Sequence, residues 1–97
     1  MGGILKTPQV EQDLIEIWLY TAERWGEAQA DAYLRKIEKG FASIKAGRAL
    51  LRKLADPVHF VRCEHHIIFV LTEGDPMVIA VLHEKMDLVA RLRERLG

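Results

Sequence analysis

The residues of this sequence that could carry chemistry gather in its second half. They are four histidines (His59, His65, His66 and His83), a single cysteine (Cys63), Arg62, the run His83-Glu84-Lys85-Met86-Asp87, and the arginines Arg91, Arg93 and Arg95. Imidazole is a common zinc ligand, so four histidines raise the question of a metal site. Zinc motifs on a helix set two histidines four residues apart, and no such pair occurs here; His65 and His66 are adjacent and would leave an extended backbone on opposite faces. The spacing favours structural and turn roles, and no metal is expected. Cys63 with a nearby histidine would be a nucleophile pair if a base activated the thiolate. With no third, orienting residue identifiable, a lone cysteine on an apolar strand reads as core. It also leaves no intramolecular disulfide and suits a reducing cytoplasm.

The charged groups have two uses each. Arg62 can anchor a partner or brace a carboxylate such as Glu84. His83, Glu84, Lys85, Met86 and Asp87 follow an apolar run, where side chains leave a sheet and reach solvent, so they can form an interaction surface. Glu84 and Asp87 can equally cap or pair with a following helix. Arg91 and Arg95, with Arg93, can grip a protein groove or DNA held by a protein, arginine being favoured in interface hot spots. Cations near a helix C-terminus also stabilise its dipole, which is the plainer reading. Fourteen Lys and Arg balance fourteen Asp and Glu over 97 residues. Long-range attraction to phosphate is therefore absent, and sequence-specific nucleic-acid binding by this chain alone is not expected.

The elements that must position these groups follow from the apolar pattern. Ile4 to Lys6 reads as a short strand, and Thr7-Pro8 as a helix start with a side-chain oxygen cap. Val10, Leu14, Ile17, Trp18, Thr21 and Trp25 recur at helical spacing up to Gly26, which places both tryptophans with the core stripe; Asp13 falls among the polar residues. Ala30, Tyr33, Leu34, Ile37, Phe41 and Ile44 make a second stripe ending at Gly47. Joined at Gly26, the two helices must fold back as a hairpin. Ala49 to Pro57 is a basic connector. Val58–Cys63, Ile67–Leu71 and Met77–Leu82 then read as strands of a meander, with turns at Glu64-His65 and Glu73-Gly74-Asp75-Pro76. Leu88, Val89, Leu92 and Leu96 predict a last helix, capped by Asp87. The expected fold is one α+β domain over residues 1–97: an N-terminal strand and a helical hairpin on a small curved antiparallel sheet, then a short C-terminal helix. No leader or membrane-spanning stretch is expected, since no run reaches the roughly 18 apolar residues a span needs.

Three stretches resemble the ParE toxins of the RelE/ParE superfamily. Leu14-Ile15-Glu16-Ile17-Trp18-Leu19-Tyr20-Thr21-Ala22-Glu23-Arg24-Trp25-Gly26 is similar to the family's first helix. Val61-Arg62-Cys63-Glu64-His65-His66-Ile67-Ile68-Phe69 resembles its strand, turn and strand. Val81-Leu82-His83-Glu84-Lys85-Met86-Asp87-Leu88 is similar to its Leu-His-Glu-Arg/Lys-Met-Asp ending. The resemblance covers roughly residues 4 to 92; Glu64 stands where the family often has glycine, and Val70 where it often has an aromatic. It implies a plasmid-stabilisation toxin that inhibits DNA gyrase by binding, with no cofactor and a ParD-like antitoxin as partner. Two other activities occur to the same fold: a RelE-type ribosome-dependent mRNA endonuclease, which needs clustered cations and an acid or base on the sheet, and a non-toxic relative that only binds antitoxin.

Overall fold

The computed structural model describes residues 3–97. Along the chain it runs β1 (Leu5–Lys6), α1 (Pro8–Trp25), α2 (Glu27–Lys45), β2 (Arg52–Ala55), β3 (Val58–Cys63), β4 (His66–Leu71), β5 (Met77–His83) and α3 (Leu88–Leu96). Pro8 starts α1 because its fixed φ and missing N–H suit a first helical turn. The expected side-chain cap is not made. Thr7 Oγ1 is buried without a partner among the described residues, and the backbone serves instead: Thr7 N–H donates to the Val78 carbonyl while its own carbonyl accepts from Val10.

Gly26 separates the helices at φ 93°, a conformation that an L side chain rarely adopts, so the hairpin turns within one residue. α2 closes through Gly47 at φ 76°, with Gly47 N–H on the Ile44 carbonyl and Arg48 N–H on that of Ser43. This doubly bonded ending satisfies carbonyls that the helix leaves open.

Among the described residues the sheet has five strands, in the order β1-β5-β4-β3-β2. β3, β4 and β5 form the expected antiparallel meander. Two features modify the expectation. The basic connector contains an edge strand, β2, whose four residues are all exposed, so no apolar run announces it. β1 lies parallel to β5, which makes the sheet mixed. In addition, β4 begins one residue early, at His66, and β5 runs on to His83.

Both faces of β4 and β5 are covered, which is why they read as continuous apolar runs. One face carries Ile68, Val70, Val78 and Val81 against Val10, Ile17, Ile37, Phe41 and Ile44 of the hairpin. The other carries Phe69, Ile79, Ala80 and Leu82 beneath Leu88 and Leu92 of α3. Ile79 and Ala80, although adjacent, share that face because the β4–β5 register shifts between Phe69 and Val70, the mark of a bulge in β5. The tryptophans depart from the expected stripe. Trp25 is 64% exposed, and Trp18 is half-buried with Nε1 donating to Asp31 at 2.8 Å. Among the described residues no helix is long and apolar enough to cross a membrane.

Candidate functional site

Where α1 passes the end of β5, the surface opens into a groove of about 500 Å³. Glu16, Ile17 and Tyr20 form its helical wall; His66, Val81, His83, Lys85 and Met86 form the sheet side. Tyr20 and Met86 are exposed there. A second hollow, of about 410 Å³, shares Tyr20, His66 and His83 and continues toward Tyr33 and Trp25.

His66 sits deepest. It is only 9% exposed, and its Nδ1 lies 2.6 Å from Tyr33 Oη, which also accepts from the His65 N–H at 3.1 Å. Its ring meets Tyr33 and His83 edge-on, with centroids 5.4 and 5.1 Å away. Burial, then the neighbouring imidazoles of His83 and His65, push its pKa from 6.5 down to about 4. Burial likewise raises the Tyr33 phenol.

Beside it lies an ionic cluster. Glu84 takes a hydrogen bond from His65 Nδ1 at 3.1 Å and pairs with Arg62, whose Nε donates to the Glu64 carbonyl. The His65 bond, then the Arg62 charge, hold the Glu84 carboxyl below its ordinary range. Cys63 is half-buried, with Sγ donating to the Lys36 carbonyl. Burial raises its pKa, so it lacks thiolate character. His59 bonds Thr72 through Nδ1. Among the described residues no three His, Cys, Asp or Glu are grouped to hold a metal ion.

The structure thus brings Arg62, His83, Glu84, Lys85 and Met86 together at one end of the sheet. Asp87 adjoins them as the cap of α3, its Oδ1 accepting from Ala90 N–H at 3.2 Å. Arg91 is exposed on α3. Arg95 faces inward instead. Its guanidinium grips Asp13 through both nitrogens at 2.7 and 2.8 Å and also donates to the Ile79 carbonyl at 3.1 Å, while Val81 N–H donates to Asp13 at 3.0 Å. The Asp13 bond is the main reason the Arg95 pKa is raised.

This pair completes the sheet edge. β1 ends at Lys6, opposite Val78, and beyond it the Ile79 carbonyl and Val81 N–H have no strand to bond among the described residues. Asp13 from one face and Arg95 from the other meet around that edge and satisfy both groups. The helical pattern alone sets Asp13 with the polar residues, mainly off the apolar stripe. Its position, three after Val10 and four before Ile17, puts a carboxylate in the apolar stripe, a signal that a buried ion pair was needed. Tyr33 was read only as core, although a buried phenol must find a hydrogen-bond partner.

Known proteins on this plan share more than architecture. A family model described as the ParE toxin of the type II toxin–antitoxin system, parDE, matches residues 4–88. Toxin ParE of Escherichia coli is 40% identical over 99% of this chain and 98% of its own length. Toxin ParE1 of Mycobacterium tuberculosis is 34% identical over 87% of this chain and 91% of its own. A solved structure described as the chromosomal ParDE TA system from P. aeruginosa superposes with a TM-score of 0.73 over 86% of this chain and 96% of that one; at 15% identity it speaks to the fold. With the hairpin, the meander and the Leu82-to-Asp87 ending all inside the matched span, the chain belongs to the ParE toxin family of type II toxin–antitoxin systems.

Proposed function

We propose that this chain acts in the cytoplasm by binding DNA gyrase, and that a ParD-like antitoxin neutralises it. The observation that carries the reading is the near end-to-end match to a named ParE toxin. A protein that inhibits by binding must prefer one state of its target, and preference for the cleaved gyrase–DNA state would turn a transient intermediate into a lesion. The groups at the sheet end, partly exposed His83 and Glu84 and exposed Lys85, Met86 and Asp87, with Arg62 and Arg91, are the surface we assign to target or partner contact; Arg95 supports it from within. The groove between the helical hairpin and the sheet suits the antitoxin. A disordered segment that folds on contact would cover Tyr20 and Met86 there.

Supercoiling by purified gyrase, titrated with this protein and scored for both lost activity and accumulated cleaved DNA, tests the reading. Dose-dependent inhibition with trapped cleavage is expected. A folded, monodisperse preparation without effect on gyrase overturns it; RNA fragments appearing only with ribosomes would then mark a RelE-type nuclease, and antitoxin binding without growth arrest a non-toxic relative.

A further inference from the structure

Two imidazoles in the groove have their protons placed by the protein around them. Tyr33 Oη already accepts from His65 N–H, and its hydroxyl has no acceptor other than His66 Nδ1 among the described residues. Satisfying that hydroxyl assigns the His66 proton to Nε2. Lys85 N–H donates to His83 Nδ1 at 3.1 Å, so His83 also carries its proton on Nε2. Neither Nε2 has a partner among the described residues, although His66 is nine-tenths buried, and both rings line the groove. His66 Nε2 is not sealed from solvent, so each Nε2–H is a donor open to an acceptor that enters the groove.

The surroundings narrow that acceptor. Lys85 borders the same groove and makes no ion pair among the described residues. Asp13 is neutralised by Arg95. Glu16 on the α1 wall, which accepts from Gln12, places a carboxylate there that opposes a run of phosphates more than a single carboxylate on the opposite side. Ile17, Tyr20, Val81 and Met86 supply apolar contact on either hand.

We propose that His66 Nε2–H, His83 Nε2–H and Lys85 form a subsite for one carboxylate, an Asp or Glu side chain of a partner polypeptide whose flanking apolar side chains lie on Tyr20 and Met86. The partner's place in this groove rests on the toxin–antitoxin reading above; the subsite chemistry does not. The test is long-range nitrogen–proton NMR of the full chain with labelled histidine, titrated with acetyl-Leu-Glu-Leu-amide and, separately, acetyl-Leu-Gln-Leu-amide. Before addition, His66 and His83 should both show the Nε2–H form. The Glu peptide should shift both Nε2 signals and bind about tenfold tighter than its Gln counterpart, as a charge-assisted bond requires. Lys85→Gln, an exposed change that leaves the fold intact, should narrow that ratio to about threefold. Equal binding of the two peptides, absence of Nε2 shifts at millimolar peptide, or Nδ1–H forms at rest would each overturn the proposal. The titration contains neither gyrase nor antitoxin, so its failure is distinct from failure of the supercoiling assay.

Discussion

Removing the Asp13 carboxylate should unfold this protein well below its normal midpoint. The side chains of Asp13 and Arg95 are only 8% and 16% exposed, and Asp13→Ala leaves the guanidinium without its counter-charge, bonded only to the Ile79 carbonyl, and strands the Val81 N–H. Breaking a buried pair by removing one partner costs about 3–5 kcal/mol. Arg95 retains some access to water, which brings the expectation to about 3 kcal/mol, or a midpoint lower by roughly 12–20 °C for a chain of this size. Arg95→Ala should cost about 2–3 kcal/mol, since Asp13 keeps one hydrogen bond, from Val81. The informative protein is the double variant. With Asp13→Leu and Arg95→Met no charge is left buried, and only the Val81 N–H and Ile79 carbonyl lose partners, a loss of about 1–2 kcal/mol. Urea titrations of the parent, the two Leu and Met single variants and the double should therefore give a coupling of at least about 2 kcal/mol. Additivity within about 0.5 kcal/mol would refute the claim that the two residues act as one unit around the sheet edge.

Three further outcomes follow from particular contacts. His66 titrates at about 4 in the folded chain against an ordinary 6.5, so as pH falls through that window the unfolded chain takes the proton first. Stability should be full above pH 6.5 and decline by about 2 kcal/mol toward pH 4, after discounting for water in the groove; urea midpoints for the parent and His66→Gln should differ in slope across that range, and parallel slopes would contradict it. Glu64 turns the β3–β4 hairpin at φ 56°, so Glu64→Gly should stabilise by about 0.5–1 kcal/mol, its exposed pairing with Lys36 contributing little; a lower urea midpoint would show otherwise. At Gly40 an added Cβ would stand 3.2 Å from Ile68 Cδ1 and 3.7 Å from Cys63 Sγ, so a larger side chain must push these neighbours aside. Gly40→Leu should therefore cost about 2 kcal/mol or more by thermal denaturation, despite better helix propensity.

The helical hairpin was legible because its signal is local. Val10, Ile17, Ala30, Ile37, Phe41 and Ile44 follow a 3.6-residue period, and all are buried. Trp25 obeys the same period but stands next to the Gly26 turn, where its side chain is left in solvent. Periodicity marks a face without showing where its cover ends. β2 escaped notice for a related reason. An edge strand made of Arg52, Lys53, Leu54 and Ala55 buries nothing, so its composition answers to solubility and to avoiding further pairing, not to a core. At the site, the sheet-end location of His83 to Asp87 could be read from the end of an apolar run. The joining of Tyr33 to His66 and of Asp13 to Arg95 spans 33 and 82 positions. Such partners are chosen by the folded geometry, and a one-dimensional pattern records only that a polar group sits among apolar ones.

That 82-residue separation also bears on rates. Closing so long a loop is entropically unfavourable until other contacts have shortened it, whereas the hairpin and the β4–β5 pairing join nearby segments. The Asp13–Arg95 clasp should thus form late, after the barrier to folding has been crossed. Interactions absent from the transition state act on the lifetime of the folded molecule. Stopped-flow chevrons of Arg95→Met should show a raised unfolding arm with the refolding arm nearly unmoved. The clasp would then govern how long a free molecule persists once folded, separately from how quickly it reaches that state.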